Sequence, residues 1–123
     1  MVMLMKSRYD VVYVKDEYMI YANQYACFVK YLYSHCYDSY CSNQMEEIFE
    51  PMVLKKICLL EYMEKRLNYT YENHVYTLSN PITNQIITIK INEYAIEVNE
   101  DGGNHVIFDI LNQSFKNFYM IVS

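Results

Sequence analysis

The sequence predicts an α+β fold: a two-helix core packed on an antiparallel sheet, in an order of roughly ββ-αα-βββ-α, with residues 1–123 forming a single domain. Three observations carry this reading. Apolar residues recur at helical spacing between residues 24 and 38, and a second apolar run from Val53 to Leu67 covers more than one helical face. From Tyr69 onward the pattern changes to short β-prone runs punctuated by turn residues.

Taken in order, Tyr9 to Val14 is β-branched and aromatic, Lys15-Asp16-Glu17 is polar, and Tyr18 to Tyr21 is β-prone again. That pattern predicts a hairpin. Asn23 stands where a helix cap is wanted, since its side chain can accept a hydrogen bond from an unpaired first-turn amide. Tyr25, Phe28, Val29, Leu32, Tyr33 and Cys36 then form one apolar stripe, which predicts a helix over 24–38. Asn43 and Glu46 resemble a capping box for a second helix starting near Gln44. Pro51 removes a ladder donor and crowds the preceding turn, so a kink or restart is expected there. The run through Val53, Ile57, Leu60 and Met63 marks this helix as the central one.

In the second half, Tyr69 to Leu78 fits an irregular strand, and Ser79-Asn80-Pro81 is a turn. Ile86 to Ile91 and Tyr94 to Val98 are the next strands, across Asn92-Glu93. Asn99 to Asn104 holds both glycines of the chain and reads as a loop. The last segment is ambiguous, because His105 to Ile110 also suits a strand. The polar stripe Asp109, Asn112, Gln113, Lys116 favours a helix over 105–120, capped by Asn104, with Tyr119 to Val122 finishing as a short strand.

Composition narrows the function classes. Apolar residues make up 53% of the chain, and Gly and Pro are only two each, so disordered linkers are not expected. Met1 to Met5 is too short for a signal-peptide core, and no apolar run is long enough to span a membrane. A cytoplasmic location with reduced thiols is therefore expected. Cys27, Cys36, Cys41 and Cys58 then read first as small buried hydrophobes. Net charge is −5, and the only adjacent basic pairs are Lys55-Lys56 and Lys65-Arg66. Nucleic-acid binding wants an excess of Lys and Arg to neutralise phosphates, so a direct nucleic-acid partner is less expected than a protein. Ile, Asn, Tyr, Lys, Phe and Met supply 59 of 123 residues, which points to an AT-rich genome.

Few constellations carry chemistry. His35, Cys36 and Cys41 are the nearest approach to a metal site, but zinc sites usually use paired cysteine knuckles and no second pair exists. No P-loop, dinucleotide-binding, zinc-protease or nucleophile-elbow pattern occurs, and no cofactor is expected. The acidic group Glu93, Glu97, Glu100 and Asp101 surrounds the glycine loop and could steer a basic partner. The chain has 15 tyrosines, and Tyr69 and Tyr71 are candidates for protein contact, because the ring gives large area at low entropic cost. The function expected is a non-enzymatic accessory or inhibitory protein that binds a macromolecule, of the kind carried by AT-rich viruses, phages or mobile elements. Phage counter-defence proteins, anti-CRISPR proteins among them, are of that general description. The alternatives are a small Cys/His metal protein or enzyme, and a regulator touching nucleic acid through its basic pairs.

Overall fold

A computed structural model of the chain describes residues 6–35, 39–65, 69–79, 82, 84–101 and 105–122. Among them are six strands and five α-helices: β1 (Lys6–Tyr13), α1 (Met19–Gln24), α2 (Ala26–Ser34), α3 (Ser39–Ile48), α4 (Met52–Glu64), β2 (Tyr69–Glu72), β3 (Val75–Ser79), β4 (Ile86–Ile91), β5 (Ile96–Asp101), α5 (Val106–Ser114) and β6 (Phe118–Val122). The strands form one antiparallel sheet in the order β2-β3-β4-β5-β1-β6. The α+β class and the antiparallel meander of the second half are as the sequence predicts.

β1 explains the layering. Successive side chains on a strand point to opposite faces, and here both faces are apolar: Tyr9, Val11 and Tyr13 on one, Val12 and, just past the strand's end, Val14 on the other, all buried. One helix pair meets the first set. Met52, Leu59 and Met63 of α4 and Ile107 and Leu111 of α5 pack with Tyr9, Val11, Ile89 and Val98. The other face is met by Ala22 of α1, Val29 and Leu32 of α2 and Ile48 of α3, which pack with Val12, Val14 and Ile121. The sheet is thus sandwiched at its β1 end between two helical layers.

Several expectations are corrected, each by a tertiary demand. The predicted N-terminal hairpin does not form. Asp16–Tyr18 is a 3₁₀ turn and Met19–Gln24 is helical, because both edges of β1 are taken by β5 and β6. The chain after Val14 instead folds over β1 and buries Ala22. The helix predicted over 24–38 begins at Ala26 as α2, after a break at Tyr25 (φ −131°, ψ 71°), and Asn23 does not cap it. The Asn23 side chain accepts a hydrogen bond from the Tyr119 hydroxyl at 2.6 Å.

At Pro51 the helix stops and restarts, as one of the two expected outcomes has it: α3 ends at Ile48 and α4 begins at Met52. Lys15 N–H donates to Ile48 O at 2.9 Å, Glu50 N–H to Tyr13 O at 2.8 Å and Met52 N–H to Glu93 O at 2.7 Å. Phe49, wholly buried, forms a β-bridge with Val14. The amides on either side of Pro51 are therefore spent on β1 and on the β4–β5 turn and not on a continuing helix. The irregular strand predicted over 69–78 is two strands joined at Asn73 and His74, both left-handed. Asn99, Glu100 and Asp101 belong to β5 rather than to a loop, and the last helix ends at Ser114, followed by strand β6. The predicted cap Asn104 lies outside the described residues.

Within α4, Leu59 is wholly buried whereas Leu60 is half-buried, so Leu59 holds the central position. Leu59→Ala should cost about 2–5 kcal/mol of stability, and Leu60→Ala distinctly less. Urea denaturation of both variants checks this, and equal losses would contradict the packing described.

Candidate functional site

The two faces of the sheet are covered unequally. Arg8, Asp10, Val12 and Val14 share one face of β1 by alternation. Helices α1–α3 close over Val12 and Val14, but Arg8 is exposed and Asp10 only half-buried. Strand pairing carries this bare region across the sheet in two rows. Asp10 stands opposite Glu97, which stands opposite Lys90. Arg8 stands opposite Asn99, which stands opposite Thr88. Together with Val75 these side chains line an open depression of about 580 Å³.

The electrostatics of the depression centre on Asp10. Like charges directly opposite one another are unfavourable across a strand pair, and Asp10 faces Glu97 in that way. Burial raises the Asp10 carboxyl above its ordinary range; a hydrogen bond with Tyr33 of α2 opposes the shift, Glu97 adds to it, and Arg8 offsets part. Two cations, two carboxylates, an amide and a hydroxyl thus share one concave surface. All of them stand on strands, which hold their spacing rigidly. Such an array suits recognition of a polar, charged surface by matched donors and acceptors.

The predicted site residues are dispersed by the fold. Glu97 faces the depression, and Asp101, on the same face of β5, accepts a hydrogen bond from the Ile86 amide at 3.0 Å. Glu93 is exposed beside the start of α4, where its carbonyl oxygen accepts the Met52 amide. Glu100 is the correction. It is no exposed loop carboxylate but is 3% exposed, on the opposite face of β5. The Tyr9 hydroxyl donates to Glu100 Oε2 at 2.8 Å, and the Ile107 amide donates to Oε1 at 3.2 Å. The Phe108 amide donates to the Tyr9 hydroxyl oxygen at 3.2 Å. Tyr9 and Glu100 therefore satisfy two first-turn amides of α5, a task usually done by a local cap. Burial first, and then the Glu100 carboxylate, push the Tyr9 hydroxyl far above its ordinary range.

Tyr69 and Tyr71 lie at the free edge of the sheet, on the face opposite the depression. The rings of Tyr71 and Tyr76 stack at a tilt with centroids 4.4 Å apart, and Tyr69 lies 6.4 Å from Tyr76. Tyr71 and His74 share a hydrogen bond of 3.4 Å. His35 stacks on Tyr31, and its Nδ1 lies 2.8 Å from the Tyr31 carbonyl oxygen. Cys36 lies outside the described residues, and Cys41 is described only as part of the α3 backbone. Among the described residues no three His, Cys, Asp or Glu side chains converge as metal ligands would. Cys27 is a free, exposed thiol.

Sequence reasoning missed Arg8, Asp10, Thr88, Lys90 and Asn99. The available signal was period-two placement of polar residues in β1 and β4, which shows that a face is polar but not which strands share it. No family model matches this chain, and neither does any curated protein.

Tyr9→Phe removes the donor to Glu100 and the acceptor for Phe108, and should cost about 1–3 kcal/mol. The contribution of Tyr9 is complete below its ordinary value of 10.0 and is lost as pH rises beyond it, because the folded hydroxyl resists ionisation. Denaturation of wild type and variant at neutral and alkaline pH measures both, and a neutral substitution would remove the link from the account. For Asp10, ionisation is disfavoured in the fold, so its penalty appears as pH rises above the ordinary 3.8. Carboxyl NMR titration should place Asp10 above that value, higher still in Tyr33→Phe and lower in Glu97→Gln. The opposite order would contradict the causes assigned.

Proposed function

We propose that this protein is a non-enzymatic binding protein that engages another protein through the uncovered face of its sheet. The observation that carries the reading is the charged depression on the bare half of an otherwise sandwiched sheet, with Arg8, Lys90, Asp10 and Glu97 facing it together. Neither cysteine nor histidine is among its lining residues, so the lining supplies no thiol or imidazole for covalent or acid–base chemistry. Helices α4 and α5 cover the opposite face, and α1–α3 cover this face only at Val12 and Val14 and leave the depression open. A partner with an alternating charged surface can therefore meet it without displacing any element of the fold.

An accessory or inhibitory role follows naturally from a small chain whose working part is a surface. The AT-rich composition supports an origin in a virus, phage or mobile element, where such proteins act by occupying a host protein. The chain carries a net charge of −5, which favours a protein partner over a phosphate backbone. No helix among the described residues is long and apolar enough to cross a membrane.

The test exchanges charge at the depression while sparing Glu100. Arg8→Glu with Lys90→Glu should leave far-UV circular dichroism unchanged, since exposed strand charges add little stability. Proteins retained from host lysate by wild type should be lost by the double variant. Affinity for the captured protein should fall about tenfold or more in the variant. The wild-type interaction should also weaken as salt rises. Equal retention by both proteins, with a flat salt response, would overturn the assignment of this face.

A further inference from the structure

Among the described residues, β2 is the outermost strand at one end of the sheet, and its four residues are all exposed. The hairpin it forms with β3 turns on Asn73 and His74, with φ of 52° and 65°. Two left-handed residues make the type I′ turn, whose flanking pair, Glu72 and Val75, is hydrogen-bonded. Bonding then alternates along an antiparallel ladder. Glu72 and Thr70 direct their backbone groups to β3, and Tyr71 and Tyr69 direct theirs outward. The two tyrosines thus carry both the outward-directed backbone groups of the edge, unpaired among the described residues, and side chains 38% and 52% exposed.

We infer that β2 is where a second copy of this chain pairs, antiparallel, across a twofold axis. The occupant follows from the palindrome Tyr69-Thr70-Tyr71. In a twofold contact, if residue i meets residue j, then j meets i. One register sets Tyr69 against Tyr71 of the second copy and Thr70 against Thr70 on the axis. It makes both outward tyrosine pairs the hydrogen-bonded ones, and every side chain stays on its own face. Aromatic pairs and threonine pairs are both favourable across strands.

The same register continues rows already present in the sheet. Thr88, Thr77 and Thr70 stand opposite one another across β4, β3 and β2, and pairing on the axis carries this row into the second copy. On the other face Ile89, Tyr76 and Tyr71 make one row, and Ile87, Leu78 and Tyr69 the next. Pairing joins each row to the other's counterpart. The Glu72 carboxylates fall at opposite ends of the contact, four residue steps or about 14 Å apart. That exceeds a screening length of about 8 Å at physiological salt. A foreign strand would have no use for the palindrome. The pairing would also set two charged depressions on one continuous sheet face.

Sedimentation velocity of the full chain, from low micromolar to near-millimolar concentration, should show a reversible monomer–dimer equilibrium. Amide exchange at Tyr71 should slow as the dimer fills. Thr70→Lys places two ammonium groups at the axis, and Tyr71→Pro removes an outward donor without touching the β3 ladder. Each should weaken the dimer about tenfold or more, with circular dichroism unchanged. Asn112→Lys, on the exposed side of α5, should leave the dimer as it is. A chain that stays monomeric throughout, or a dimer indifferent to Thr70→Lys, overturns the proposal. Should Tyr71→Pro unfold the protein, Thr70→Lys and the wild-type exchange at Tyr71 still decide.

Discussion

Strand β1 runs between β5 and β6 with apolar side chains on both of its faces, and the placement of the other elements follows from it. Tyr9, Val11, Val12 and Val14 are wholly buried, and each side chain of that size contributes about 1.5–3 kcal/mol when removed from water. A strand apolar on two sides needs a layer above and a layer below. Helices α4 and α5 supply one, and α1–α3 supply the other. Earlier in the same strand the helical cover gives out, with Asp10 half-buried beside Tyr33 of α2 and Arg8 exposed. A single eight-residue element therefore sets where the core ends and where the open, charged surface starts.

The junction at Phe49–Pro51 shows how the helical layers are tied to that strand. A helix continuing through this point would use its amides internally, as helices do. Proline lacks an amide and crowds the turn before it, and the neighbouring amides of Glu50 and Met52 bond β1 and the β4–β5 turn instead. Phe49 enters the core between α3 and the strand. The break also lets α3 and α4 lie on opposite faces of the sheet, which one straight helix could not do.

Glu100 and Tyr9 do a comparable task at the other end of the core. A buried carboxylate is costly unless its oxygens are hydrogen-bonded, and here both are engaged. The pair replaces the side-chain cap that α5 lacks at His105. It ties β1, β5 and the start of α5 into one unit. A residue two places from a glycine pair thus serves the interior, while its neighbours Glu97 and Asn99 serve the open face.

Local pattern alone determined the class of this protein and most of its elements. The helical stripe through Phe28, Val29 and Leu32, the apolar run after Pro51, and the β-prone runs at Ile86–Ile91 and Ile96–Val98 are all encoded in short-range periodicity. Such periodicity states how a segment can bury its own apolar side. It does not state which segment will meet it. Tyr18 to Tyr21 has the composition of a strand, yet it is helical at Met19–Tyr21, because β1 has no free edge to offer it. Glu100 has the neighbourhood of a loop, yet it is interior, because β5 pairs with β1 through Asp101. The charged depression joins Asp10 to Glu97 and Arg8 to Asn99, residues from opposite ends of the chain. Their meeting depends on long-range strand register, and only the tertiary structure decides that.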